Sequence, residues 1–590
     1  MRAEPEIAIP RDEARPRPQS PRWTLVAVAL AALTGLGLMA DSLQRSSATY
    51  DEVAYLRIAA HWWRTGDQEE ITRMGSPLTF WKLQQVPVLW FLDGKVFCWN
   101  FGPLAYESDL REFRPSHVRS SIWIDAPLVH QSELLPLLRT WSLTIWLIAF
   151  GLTALWARRL YGPRAMALAA WLFALSPNLL AHGALITMEL PLLACTTGMF
   201  LLFWQFLRSG DRRAFLACAA LGGLAFSCKF TTVVLPPILA LAWWVDRWWY
   251  GDPGRLARFT GRVIAGMIAF VAVMLISNVA ITGGALLPIS TSVGNHPSLE
   301  GRLDARLGRW ITRAVETPIP QDWAGFARQM QHQRSGGSSY LFGERRMKGW
   351  WYYYFVVLAV KLPLTFWLLV AARFSLGPRP DRTRHDLMLP LVIAAFLAIT
   401  ALGSSRNYGL RYLLPLAPVA IVWVSALAEG SRWPRRLARI GLLGQAIAVA
   451  SIHPYELSYF NALAGGPIGG RRILADSNLD WGQGAKPLAR LQRDVPEFRD
   501  LTLYYFGDTD PRYYGVVGTC HVVGAGYEHP GLPTLRAGRT KYVAVSASLQ
   551  HGPWGPVGFF RDLDGVPPVR MTDDRTIALY EAAAIAKPSR

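Results

Sequence analysis

The chain is 590 residues long, 51% hydrophobic and only 17% charged, with a mean hydropathy of +0.18 and a formal net charge of +19. A soluble protein of this size carries roughly a quarter charged residues, so composition argues against a water-soluble enzyme. The positive balance does not indicate nucleic acid either. Its basic excess falls in short connections between apolar blocks, with no zinc-finger spacing and no basic recognition helix.

From the N-terminus, the Pro/Arg-rich residues 1–22 read as a disordered cytoplasmic tail. The first apolar block, Trp23 to Ala40, exceeds a signal-peptide core and lacks a small-x-small site after it, so it is expected to stay as an anchor. Further apolar stretches follow at 140–157, 165–181, 188–207, 213–228, 231–248, 262–281, 355–373, 387–403, 411–428 and 437–452. Each is close to the ~20 residues that cross a hydrocarbon core, which predicts about eleven transmembrane helices. Trp and Tyr cluster at block ends, as in "WWVDRWWYG" and Trp350–Phe355, where an aromatic belt would lie.

Charge orients the bundle. With the N-terminus inside, the inner connections hold Arg158/Arg159/Arg164, Arg208/Arg212/Arg213, Arg247/Arg255/Arg258/Arg262, Arg373/Arg379/Arg382/Arg384 and Arg432/Arg435/Arg436/Arg439. All five are Arg-rich, as the positive-inside rule requires. The expected domains are a tail (1–22), a transmembrane domain (23–452) with large outer loops at 41–139 and 282–350, and an outer C-terminal domain (453–590). The last alternates apolar and polar residues between Gly/Pro turns, as a small α/β domain does. The fold class is therefore an all-α polytopic membrane protein of the inner (plasma) membrane, with an extracytoplasmic α/β domain at its C-terminus.

Directly after the first block stands "SSATYDEVAYLRIAAHWWRTG", with adjacent carboxylates Asp51 and Glu52. Thr49-x-x-Glu52 fits a capping box, and Val53, Leu56, Ala60 and Trp63 make a helical apolar stripe. Capping accounts for Glu52 and does not require Asp51. Other ionisable groups stand at the same outer level: His182, Glu189, Lys82, Lys229, Lys361, Arg406 and Arg411. Such groups are costly inside spans and usually face a cavity or a partner. Together they suit an anionic, lipid-linked ligand, with Asp51 as general base and Lys82, Lys229, Lys361, Arg406 and Arg411 around a phosphate. Glu52, Glu189 and His182 are candidates for positioning the acceptor. Asp476, Asn478, Asp480 and Trp481, in "LADSNLDWGQ", are candidates for sugar recognition, with a plain turn as the alternative.

These segments carry a family resemblance. An Asp-Glu pair opening the first outer loop, "SPNLLAHGALITMELPLL" and "NYGLRYLLPLAP" are together similar to GT-C membrane glycosyltransferases of the protein O-mannosyltransferase and aminoarabinose-transferase-like branch. "YLFGERRMKGWWYYYFVVLAVKLPL" and "YFNALAGGPIGGRRILADSNLDWGQGAKPL" resemble segments of a bacterial subgroup of that branch. The resemblance implies inverting transfer of a sugar from a polyprenyl-phosphate donor to a protein, lipid or polysaccharide hydroxyl, with Asp51 matching the family's catalytic acidic residue. It departs at Glu189, where relatives commonly carry Asp after Thr. A divalent metal is compatible with the family, although the five cysteines form no CxxC pair and no His/Cys cluster demands one. The competing classes are a flippase or carrier of lipid-linked sugars and a non-catalytic membrane scaffold. A carrier is expected to show midplane charges, inverted repeats and broken helices.

Overall fold

The structure, a computed structural model, describes residues 21–52, 55–56, 128–250, 256–282, 284, 286–288, 316–376, 386, 388–524, 532–535 and 539–585. Lys82, most of the N-terminal tail, Val53, Ala60 and Trp63 of the apolar stripe, and much of both large loops lie outside the described residues. The described part is mainly helical. It begins with α1 (Arg22–Arg45), α2 (Leu128–Leu160), α3 (Pro163–Ala174), α4 (Pro177–Gly183), α5 (Glu189–Ser209), α6 (Arg212–Phe226) and α7 (Leu235–Tyr250). It continues through α8 (Leu256–Ile281), α9 (Gln321–Ser335), α10 (Tyr353–Lys361), α11 (Leu364–Leu376), α12 (Met388–Gly403), α13 (Leu416–Ser425) and α14 (Arg432–Ala450).

Among the described residues, four helices are long and apolar enough to cross a membrane, or up to six if each of two bent pairs counts as one span. Within the bundle, α5 is the central helix, with 89% of its apolar window buried, against 22% for α1. An all-round apolar helix such as α5 belongs in a core, whereas α1 leaves Leu25, Val26, Leu30 and Leu33 exposed on its outer side. Close helix approach depends on small residues. A Cβ on Gly35 of α1 would lie 2.5 Å from the Trp146 ring of α2, and one on Gly223 of α6 would lie 2.5 Å from the Met274 carbonyl of α8.

Two stretches expected to be continuous spans are broken. The 165–181 stretch bends by 64° between α3 and α4, at Ser176–Pro177. The 355–373 stretch bends by 106° between α10 and α11, at Leu362–Pro363. Proline lacks an N–H and clashes with the preceding turn, which is the physical reason for such breaks. The freed carbonyls at the second break do not go unpaired. Asn461 donates to Ala359 and Leu362 at 2.6 and 2.7 Å, and Asn178 donates to Lys361 at 2.8 Å.

Two short antiparallel ladders, β1 (Leu286–Pro288) with β2 (Pro318–Pro320) and β3 (Ser339–Leu341) with β4 (Glu344–Arg346), edge the bundle. Beyond α14, β5 (Leu501–Phe506), β6 (Thr519–Val523), β7 (Tyr542–Ser546), β8 (Arg570–Met571) and β9 (Ile577–Glu581) form one sheet in the order β6-β5-β7-β9-β8. β5 runs parallel to β6 and β7, and the other pairings are antiparallel. Alternation along β5 sends Leu501, Leu503 and Tyr505 to one face, against α15 (Ala485–Asp494). Tyr504 and Phe506 go to the other face, in a cluster that includes Ala181 of α4, Leu185 and Trp481. The sheet is thus packed directly on the end of the bundle where α4 ends.

The same junction fixes the residues after α1. Ser47 and Tyr50 donate backbone N–H groups to the Gln483 and Trp481 carbonyls at 3.1 and 2.7 Å. The Ala485 N–H donates to the Ser47 hydroxyl at 3.0 Å, and the Tyr514 hydroxyl accepts from Ala48 at 3.1 Å. Residues 50–52 are helical and place the acidic pair at this seam.

Candidate active site

The two neighbouring carboxylates point into different surroundings. Glu52 is fully buried and meets Arg139 of α2 through two bonds, at 2.9 and 2.7 Å. It also accepts from the backbone N–H groups of Thr49 and Ile186, each at 2.8 Å, and from the Thr49 hydroxyl at 3.1 Å. The capping box is therefore only half formed, since the Thr49 hydroxyl donates to Glu52. Arg139 continues the network by donating to the Leu43, Ser46 and Ser47 carbonyls, which the end of α1 leaves without helical partners. Glu52 is a structural hub, which corrects its reading as an acceptor-positioning residue. The sequence marks Arg139 only as an arginine standing directly before the 140–157 apolar stretch.

Asp51 turns the other way. Its Oδ2 accepts from Arg411 Nη1 at 2.7 Å, and both side chains keep some exposure, at 22% and 12%. Arg411 comes from the 3-10 turn before α13, and its guanidinium lies 4.4 Å from the Trp481 ring centroid. Beside it, Glu189 in the first turn of α5 pairs with Lys229, just past α6, at 2.8 Å. The Tyr412 ring joins the two pairs, with Lys229 Nζ 4.1 Å and the Arg411 guanidinium 5.8 Å from its centroid. Lys229, Arg411 and His182 lie within electrostatic reach of Glu189, and Asp51, Glu189 and Arg411 within reach of Tyr55. One oxygen of Glu189 and Nδ1 of His182 are buried without a hydrogen-bond partner. Asp51, His182, Glu189, Lys229 and Arg411, drawn from five separate places in the chain, thus form one cluster.

Other candidates do not join it as expected. Lys361 donates to the Leu457 and Asn478 carbonyls at 3.0 and 2.6 Å, so its ammonium ties the break after α10 to the C-terminal segment and is not free for a phosphate. Arg406 donates to the Gly336 carbonyl at 2.9 Å, on the α9 side of the bundle. Asn478 accepts from Leu410 N and donates to the Tyr353 hydroxyl, both at 3.0 Å. Asp480 accepts from Ser548 N at 2.8 Å and Gly482 N at 3.2 Å, and burial pushes its carboxyl up to about 7. Trp481 is 1% exposed beneath Arg411. All four proposed sugar-contacting residues are therefore buried inside the protein, and Asp476 differs in that one of its carboxylate oxygens, Oδ2, has no hydrogen-bond partner. Among the described residues, no three His, Cys, Asp or Glu side chains gather as a metal site would need.

Residues 137–281 match the model of the dolichyl-phosphate-mannose-protein mannosyltransferase family. The match is well short of half of the chain. It spans α2 to α8, with Arg139, His182, Glu189 and Lys229, and bears out over that segment the resemblance read from the sequence. No curated protein matches the chain in sequence. Among solved structures, ArnT from Cupriavidus metallidurans bound to undecaprenyl phosphate is similar at 14% identity, over 96% of this chain and 99% of that one, with a TM-score of 0.47. The archaeal oligosaccharyltransferase AglB from Archaeoglobus fulgidus, in complex with an inhibitory peptide and a dolichol-phosphate, is similar at 14% identity over 90% and 70%, with a TM-score of 0.41.

Proposed function

We propose that the chain is an integral-membrane, inverting glycosyltransferase that moves a sugar from a polyprenyl-phosphate donor to a hydroxyl at the outer membrane face. In this reading eleven spans carry the bundle, the N-terminus is cytoplasmic, and the sheet-bearing segment is extracytoplasmic. The observation that carries it is the joining of the Asp51–Arg411 and Glu189–Lys229 pairs through Tyr412, beside the seam where the chain leaves α1. The family match over residues 137–281 supports the donor class.

The chemistry follows from the charges. The acceptor hydroxyl passes its proton to the Asp51 carboxylate as its oxygen bonds to the anomeric carbon. The bond from that carbon to the phosphate oxygen breaks, and the electron pair leaves with the polyprenyl phosphate. Arg411 and Lys229 supply the positive charge toward which that phosphate departs. Glu189 holds Lys229 in place, and His182 lies close enough to act on the same carboxylate.

Asp51→Asn keeps the shape and removes the base. Transfer by the purified full chain from undecaprenyl-phosphate sugars is expected to fall by a factor of about 10² to 10⁴, with folding unchanged. Turnover retained in that variant would remove Asp51 as the base. A carrier reading draws on the bent pairs α3–α4 and α10–α11, since carriers use broken helices. Against it, the carbonyls freed at the 106° bend are taken up by the side chains of Asn461 and Asn178.

A further inference from the structure

Residues 475–483 lie between the sheet and the bundle. In the order β6-β5-β7, the chain leaves β5 for a neighbour on one side and later returns on the other. The crevice outside the carboxyl ends of such diverging parallel strands is where open α/β sheets bind ligands. Here the chain itself enters that position. Ser548, just beyond β7, donates its N–H to Asp480, and the Tyr505 hydroxyl of β5 donates to the Gly482 carbonyl. A Cβ on Gly482 would stand 3.1 Å from the Phe506 carbonyl, so the loop is pressed against the strand end.

Within this loop Asp476 differs from its neighbours. Ser477 donates to the Tyr408 carbonyl, and Asn478 and Asp480 are engaged as described above. Asp476 Oδ1 accepts from Trp554 Nε1 at 2.9 Å, while its Oδ2 is buried and has no partner. The residue is 7% exposed and has φ +57, a left-handed conformation uncommon outside glycine and adopted by Asp at some cost. Arg411 and Asp51 are among the charges that act on its carboxyl, so it stands within electrostatic reach of the proposed reaction centre. Aromatic rings connect the two places. Tyr50, next to Asp51, stacks on Phe506 at 5.4 Å, Phe506 on Trp554 at 6.2 Å, and Trp554 meets Tyr408 at 6.0 Å.

We propose that Asp476 Oδ2 receives a hydroxyl of the sugar being transferred, making the loop at the sheet's switch point the sugar-orienting wall of the site. The inference rests on the donor reading above and deepens it. A carboxylate oxygen needs a partner that donates a hydrogen. The polyprenyl chain has none, and a phosphate would be repelled. The sugar always brings several hydroxyls.

The test uses the full chain in nanodiscs with four lipids: undecaprenyl phosphate, and the same lipid carrying mannose, glucose or 4-aminoarabinose. Asp476→Asn keeps size and tolerates the left-handed backbone, and Asp476→Gly removes the side chain and relieves that conformation. Both are expected to weaken binding of the preferred glycosylated lipid by about tenfold, the loss of one charge-assisted hydrogen bond, with bare undecaprenyl phosphate unaffected. Unchanged affinity for the glycosylated lipid overturns the inference alone, as does an equal loss for both lipid types. So does a wild type that binds the bare lipid at least as tightly as every glycosylated one. A wild type that binds none of the four overturns the donor reading and the inference together.

Discussion

Asp51 and Glu52 share a sequence position in all but one step, yet helical geometry points them about 100° apart and gives them opposite surroundings. Glu52 and Arg139 are both 0% exposed, so removing one partner leaves an uncompensated buried charge. Glu52→Gln is therefore expected to cost roughly 3–5 kcal/mol, read as a lower unfolding temperature in tryptophan fluorescence of the purified protein. A stable but inactive Glu52→Gln would instead assign Glu52 to the chemistry. The sequence made Asp51 distinguishable from its neighbour because capping explained one acid and left the other. It could not separate Lys229 from Lys361, since both are single lysines beside apolar runs. One meets a carboxylate, the other two backbone carbonyls, and only the tertiary structure decides which.

At the level of elements, each apolar stretch in the sequence meets a helix or a bent pair. Hydropathy averages over a window, however, so Pro177 and Pro363 vanish into otherwise apolar runs and the breaks go unseen. Their consequence is functional, because the turn after α4 carries the Ile186 N–H to Glu52 and the break after α10 brings Lys361 to the loop below Asp476. The last turn of α1 has a second set of ties on another of its faces. His453 lies 2.6 Å from Glu456 and 3.2 Å from Asp41, Ser42 donates to Glu456 at 2.7 Å, and Arg45 holds Asp41. The bond to Glu456, helped by Asp41 and opposed by burial and Arg45, raises the His453 pKa above 6.5. A raised folded-state value means stabilisation that is complete below about pH 6.5 and fades as pH climbs through that raised value. The melting temperature of the wild type is expected to fall over this range more steeply than that of His453→Gln. Parallel slopes for the two proteins would sink the idea that this histidine clamps α1.

For the whole molecule, composition and the long apolar blocks already spoke for a membrane bundle. The alternating strands after residue 500 were readable too. What the sequence concealed is that the C-terminal segment and the bundle share packing and hydrogen bonds. Ala181 and Leu185 belong to the sheet's hydrophobic cluster, and residues 47–50 bond to 481–485. Such long-range seams leave no periodic trace. A chain ending at Ile452 is therefore expected to lose the Trp481 support of Arg411 and the fixed setting of Asp51. Its yield of monodisperse protein on gel filtration should drop sharply, whereas a cleanly folded truncated bundle would show the segment to be a separable appendage.

The Asp51–Arg411 and Glu189–Lys229 pairs also differ in kind from a surface pair such as Arg346–Glu344, whose side chains are 53% and 64% exposed. Dissolved ions screen charges over about 8 Å at physiological ionic strength, but only where solvent reaches between them. At 2.7 and 2.8 Å, with little water access, the two inner pairs lie beneath that screen. The surface of this protein will change its electrostatic character between dilute buffer and concentrated brine, while the arrangement around Asp51 stays as it is.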